Sequence, residues 1–248
     1  MIDYGNAMLA ESRKRFLVVT LAAAFMAVLT AGLGRWQLDR ARQKTELRHS
    51  MDVRAAMPPV VPSQLARSES DAKEQWHRSV RLKGRWLADR TIYLDNRQHD
   101  GLPGFFVLTL LELAPGDAVV VQRGWLPRDA RDRTRIPPYD TPTGIVEVTG
   151  RIAPPPSRLY DLPGAASGPI RQNLDLGAYA HEVGIALRPL SVWQEGASGD
   201  GLLRDWPRPQ LNVQMHYGYA FQWFALCALV TGLYVWFQLL RPRRPPIG

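Results

Sequence analysis

The sequence predicts a membrane protein: two transmembrane α-helices bracketing a mainly antiparallel β domain, barrel-like or α+β, on the extracytoplasmic side. Two apolar runs and a change of periodicity between them carry that prediction. Residues 217–240 are 24 positions without a formal charge, roughly 36 Å of helix and enough for a hydrocarbon core of about 30 Å. Residues 16–33 form a second uncharged run of 18, roughly 27 Å long and near the lower limit for a span. His216 stands at the head of the later run. An imidazole at the edge of a span is costly without a partner, which makes it a first candidate for function.

The chain divides accordingly into an N-terminal segment (1–15), a first span (16–33), a domain (34–215), a second span (216–240) and a C-terminal tail (241–248). Charged residues make up 22% of the 248, yet none falls inside either apolar run. The middle stretch is long enough for one domain with its own core. The single cysteine, Cys227, lies in the second span and reads as a small packing residue. It excludes an internal disulfide and a Cys-x-x-Cys copper or thioredoxin-type site.

A net charge of +8 would suit nucleic acid, but its distribution argues for the lipid bilayer. Arg13, Lys14 and Arg15 precede the first run, and Arg241, Arg243 and Arg244 follow the second. Such clusters set topology and place both termini in the cytoplasm of a multi-pass protein. Arg35, Arg40, Arg42, Lys44 and Arg48 oppose that orientation, although long loops translocate largely regardless of charge. The first run is longer than a signal-peptide core, and Leu33 and Trp36 follow it, so it reads as an uncleaved anchor. Asp3 and Glu11 fit a mitochondrial transit peptide poorly. The expected location is the bacterial plasma (inner) membrane.

Beyond the first run, a charged helical stretch reaches to about His49, and Met57-Pro58-Pro59-Val60-Val61-Pro62 reads as a linker. A short polar helix is expected over 63–75. From Val80 the period becomes two, with Val80, Leu82, Gly84 and Trp86 on one face. Residues 91–94 read as the next strand and 95–104 as a turn-rich loop. Residues 105–113 and 118–125 form two strands joined by the hairpin Ala114-Pro115-Gly116-Asp117. Strands are also expected over 145–152 and 187–194. Leu176, Tyr179, Ala180 and Val183 mark one helix, capped by Asp175 and stopped by Gly184.

No Gly-x-Ser-x-Gly, P-loop, His-Glu-x-x-His or dinucleotide glycine fingerprint occurs, so no catalytic residue is expected and the chain does not read as an enzyme. His77, His99 and His181 show no metal-ligand spacing. Asp95, Asp100 and Asp117 occupy turn contexts. Arg123-Gly124-Trp125 at a strand end reads either as a glycine bulge or as an exposed Arg-Trp pair facing a partner or a propionate. His216, Tyr217, Tyr219 and Trp223 read either as an aromatic belt at the interface or as a ligand site.

Three stretches resemble the surfeit locus protein one family. They are Gly34-x-Trp36-Gln37-Leu38-x-Arg40, Val121-Gln122-Arg123-Gly124-Trp125-Leu126-Pro127, and His216-x-x-Tyr219-Ala220-x-Gln222-Trp223-Phe224. Tyr93-Leu94-Asp95-Asn96-Arg97 and Gly104-Phe105-Phe106-Val107-x-Thr109 are weaker echoes. Leu110 departs from a frequent proline and Gln122 from a frequent asparagine. The resemblance implies a chaperone-like biogenesis factor for cytochrome c oxidase (respiratory complex IV) that binds heme a and assists its insertion into oxidase subunit I. Heme A synthase is a second candidate partner. The same resemblance makes His216 the ligand of the heme iron, with Tyr219 and Trp223 in the binding motif. The alternative is a membrane scaffold that stabilises subunit I without binding heme. An extracytoplasmic sensor fits less well, because the short termini leave no output module.

Overall fold

The computed structural model describes residues 4–156, 168–197, 199–206 and 212–241, with side chains from residue 11 onward in the first helix. Two compact units result: residues 1–49 with 209–248, and residues 50–208.

Helix α1 runs unbroken from Tyr4 to Ala56. No proline interrupts residues 4–57, and the helix stops just before Pro58-Pro59, where the residue ahead of a proline leaves the helical region. It therefore continues past His49, where the sequence suggested an end. Helix α4 spans Val213–Tyr234 and widens into a π-helical turn, Val235–Leu240. The helical stretches Glu11–Ala56 and Val213–Leu240 are long and apolar enough to cross a membrane, and their most apolar windows are only 6% and 0% buried. A core helix of a soluble protein would hide that surface.

Residues that turn inward on α1 recur at Thr20, Ala23, Ala27, Thr30, Gly34, Gln37 and Ala41, and on α4 at His216, Ala220, Trp223, Cys227, Val230 and Tyr234. Both series alternate steps of three and four, the seam of a left-handed antiparallel pair. Contacts run in opposite directions along it: Thr20 Oγ1 with Tyr234 OH at 2.9 Å, Cys227 Sγ on the Ala27 carbonyl at 3.4 Å, and Gln37 with His216.

In the other unit, a 3-10 turn (Pro62–Gln64) and helix α2 (Glu69–Gln75, capped by Ser68) precede strand β1, Ser79–His99. Strands β2 (Leu102–Ala114), β3 (Asp117–Pro127), β4 (Ile145–Ala153), β5 (Ile170–Arg171) and β6 (Ala186–Gln194) complete one sheet. Helix α3, Leu176–Val183, carries the predicted Asp175 cap and ends at Gly184 in the left-handed region. The sheet order is β2-β3-β6-β4-β1-β5, with β1 also paired to β2.

Three expectations need correction. The two strands expected over 80–86 and 91–94 are one bent strand, whose first half pairs with β4 and whose second half pairs with β2. The loop expected over 95–104 is mostly strand, because Asn96 takes up the kink at φ 60 and only Asp100-Gly101 turns. The sheet is mixed and not a clear barrel: antiparallel pairings predominate, but β3–β6 and β1–β5 are parallel. The first of these is possible because β4, β5 and α3 lie between the two strands in the chain, supplying the long connection that parallel neighbours need.

Strand β3 is covered on both sides. Val119 and Val121 join one core with Leu82, Trp86, Val148 and Ile152, while Ala118 and Val120 join a second with Ile92, Leu94, Leu108 and Tyr179. A strand buried on both faces reads as a continuous apolar run, as Ala118 to Val121 does.

Of the two readings of Arg123-Gly124-Trp125, the exposed pair is overturned, since Arg123 is 1% and Trp125 3% exposed, and the bulge is present. Register slips between β2 and β3 there, with Val107 opposite Gly124 and Leu108 opposite Gln122, so Arg123 is the extra residue of a bulge. The bulge turns its guanidinium inward. Trp125 Nε1 is satisfied by the Arg97 carbonyl at 2.8 Å.

Candidate functional site

Two of the sequence motifs meet in the helical pair. Gln37, on α1 just past the first apolar run, faces His216 near the start of α4. The Nδ1 of His216 lies 2.7 Å from Gln37 Oε1. An amide oxygen only accepts, so Nδ1 is the donor, and in the neutral ring the lone pair then lies on Nε2. That Nε2 is buried and has no hydrogen-bond partner among the described residues. Buried polar atoms are nearly always paired, so this one calls for a reason.

Local sequence sets the meeting. Gly34, one turn before Gln37, carries no side chain where a Cβ would stand 2.9 Å from the Phe224 ring. Ala220, one turn after His216, is 2% exposed. Small residues at both points let the two helices approach.

The predicted site residues do not all share one environment. His216 and Trp223 lie on the inward seam and are half-buried. Tyr219 sits about 60° around the helix from His216 and is 50% exposed. Ala220 and Cys227 share the seam with His216, and Ala220 is closed off within the helical unit. The first motif contains Gln37 without indicating a role for it. Its signal was the step of three from Gly34 and four to Ala41, which puts all three on one stripe.

Among the described residues no three His, Cys, Asp or Glu side chains converge. A metal held by protein side chains alone therefore has no site there. An iron that brings its own four nitrogens needs only an axial ligand.

In the residue 50–208 unit Tyr93, Tyr179 and the Arg188–Asp117 pair serve the fold. Burial and the Tyr139 hydroxyl, 2.8 Å away, raise the pKa of Tyr93. Burial pushes Tyr179 up to about 12, and its hydroxyl donates to the Arg90 carbonyl. Arg188 grips Asp117 through Nε and a terminal nitrogen, at 2.8 and 2.6 Å.

Comparison with known proteins gives a consistent set of matches. The SURF1 family model matches residues 24–228. Surfeit locus protein 1 of Arabidopsis thaliana is 32% identical over 117 residues, 43% of this chain and 33% of that protein. Cytochrome oxidase assembly protein SHY1 of Saccharomyces cerevisiae is 28% identical over 104 residues, 41% of this chain and 26% of that protein. A SURF1-like protein of Rickettsia bellii is 24% identical over 208 residues, 82% of this chain and 83% of that protein. The matched stretch thus spans about a third of the plant relative and about a quarter of the yeast one.

Proposed function

Because this chain belongs to the SURF1 family, we propose that it assists assembly of cytochrome c oxidase, and that it does so by holding heme a for insertion into subunit I. The yeast relative's name supports the first part. The second rests on one observation: the buried, unpartnered Nε2 of His216. A bare imidazole nitrogen at the start of an apolar helix suits an axial iron ligand. Heme a, when bound, supplies the iron and an isoprenoid tail best kept in lipid.

The chain's own residues then have distinct tasks. His216 offers the lone pair, and Trp223 lies two turns along the same face. Tyr219 flanks them on the outward side. In this reading both helices span the bacterial inner membrane, with the sheet domain extracytoplasmic and both termini in the cytoplasm. The protein works as a chaperone, not a catalyst. Its partners are subunit I and, on the supply side, heme A synthase.

Location at the span is favoured by the cost of the alternative. Each CH₂ brought out of lipid costs about 0.8 kcal/mol, so carrying a farnesylated macrocycle on a soluble face would cost many kcal/mol. The test is the visible spectrum of detergent-purified protein from cells making heme A. A heme a spectrum is expected from the parent and its loss from His216→Ala, with both spans still inserted. A parent that never carries heme but captures subunit I is instead a scaffold.

A further inference from the structure

We propose that Gln37 is the positioning residue of the His216 site: it fixes one imidazole tautomer and ring orientation, leaving Nε2 as the only nitrogen free to bind. This rests on the reading of His216 as an iron ligand and deepens it. The observation is the 2.7 Å contact between Gln37 Oε1 and His216 Nδ1, made across 179 positions of sequence, together with the unpartnered Nε2 on the other side of the ring.

The chemistry follows from the two groups. A neutral imidazole has one donor and one acceptor nitrogen, and in solution both tautomers are populated. An acceptor fixed on Nδ1 selects the tautomer with the proton there. The lone pair then resides on Nε2, and the ring cannot rotate without breaking the bond. Histidines that ligate metals regularly have their second nitrogen held in this way, which orients the ring and raises its basicity. An amide oxygen is a milder acceptor than a carboxylate, so the ligand is a weaker donor to iron and releases its cargo more easily than a carboxylate-held histidine. That suits a protein that must hand heme on.

The partner of His216 comes from α1, so the ligand is set only when the helices pair. Gln37 stands three residues after Gly34, which keeps α1 free of a Cβ against Phe224, and four before Ala41, which is fully buried. The first motif therefore contributes to the site through Gln37, while Trp36 and Arg40 stack together on the exposed side at 5.6 Å.

The test uses full-length protein in detergent, labelled with ¹⁵N-histidine, without heme and then titrated with heme a. His216 signals are assigned by difference against His216→Gln. In the parent, His216 should show a protonated Nδ1 and a bare Nε2. In Gln37→Leu the two nitrogens should average between tautomers and heme a affinity should fall about tenfold. Gln37→Glu should restore one tautomer and affinity, and should raise the iron–imidazole stretching frequency, a change that a packing role would not cause. Helix pairing in each variant is checked by cross-linking Cys227 to an introduced Ala27→Cys. A bare Nδ1 in the parent, or unchanged tautomer and affinity in Gln37→Leu while His216→Ala loses heme, overturns the positioning role alone. Unchanged heme a binding in His216→Ala overturns the reading beneath it, and the positioning role with it.

Discussion

Arg123 and Asp200, 77 positions apart, form an ion pair at 3.0 Å in which the arginine side chain is 1% exposed and the aspartate 13%. The same guanidinium donates to Thr141 Oγ1 and to the Asp140 carbonyl, both at 2.6 Å. It lies between the rings of Trp86 and Tyr139, 5.0 and 5.3 Å from their centroids. Arg204 closes the arrangement by bonding Asp200 and donating Nε to the Arg123 carbonyl at 2.9 Å. One bulged residue of β3 thereby ties down the loops before β4 and after β6.

Removing Arg123 should therefore unfasten two loops at once. Breaking a buried pair from one side costs about 3–5 kcal/mol, and Asp200 keeps Arg204, so about 3 kcal/mol is expected for Arg123→Ala. Arg123→Lys should also fail, because one ammonium cannot reach acceptors on three residues in the arginine's planar geometry. Urea unfolding of the solubilised protein, followed by tryptophan fluorescence, measures this. A loss below about 1 kcal/mol would show that the network adds little.

His77 provides a pH dependence. It holds φ at 71° and donates its backbone N–H to the Ile152 carbonyl at 2.8 Å. Burial lowers its pKa from the ordinary 6.5, and the charges of Arg54 and Arg151 lower it further. The unfolded chain therefore binds a proton at a higher pH than the folded one. Stability is complete above pH 6.5 and declines as pH falls through the depressed folded value. His77→Asn tolerates the left-handed backbone and removes the titration, so its unfolding midpoint should vary less between pH 7 and 5. Parallel curves for the two proteins would remove His77 as the cause.

Gly150 is required by closeness. A Cβ there would stand 2.2 Å from the Trp193 carbonyl oxygen of β6, a backbone atom that cannot swing aside. Gly84 is similar, at 2.4 Å from the Glu112 carbonyl of β2. Alanine at either position must spread the strands, at a cost of about 1–3 kcal/mol. Gly116→Ala, in an open turn with nothing within 4 Å, should instead lose only what its φ of 76° demands. Equal losses at Gly116 and Gly150 would contradict the close approach.

What could be read from the sequence was local. The Asp175 cap, the Gly184 stop and the Pro115-Gly116 hairpin each depend on neighbours within a few residues, and each appears where expected. The continuity of β1 did not show, because its bend at 88–91 and its kink at Asn96 look like turns when the pairing partners are unknown. The two-residue strand β5 is too short to carry a period. The bulge at Arg123-Gly124 was legible from the glycine at a strand end, but the inward turn of the arginine was not, because charge next to tryptophan also suits a surface and only the slipped register decides. The His216 site was legible as a motif, while its partner Gln37 required knowledge of which helix faces lie together.

The orientation of the chain rests on flanking charge and follows from the proposed membrane reading. Arg13, Lys14 and Arg15 before the first span, and Arg241, Arg243 and Arg244 after the second, favour the cytoplasm for both ends. Arg35, Arg40, Arg42, Lys44 and Arg48 pull the other way, and α1 carries them on an unbroken helix beyond the apolar run. In the proposed orientation they do not decide the matter, because a large domain follows and long segments cross largely regardless of charge. Two spans also force both termini to one side. Protease added to spheroplasts should thus digest residues 41–212 while tags at both ends survive, and permeabilising the membrane should expose the tags. If the sheet domain is protected in sealed spheroplasts and the tags are lost, the orientation is inverted. His216 would then face the cytoplasmic leaflet, and heme a would have to enter subunit I from that side.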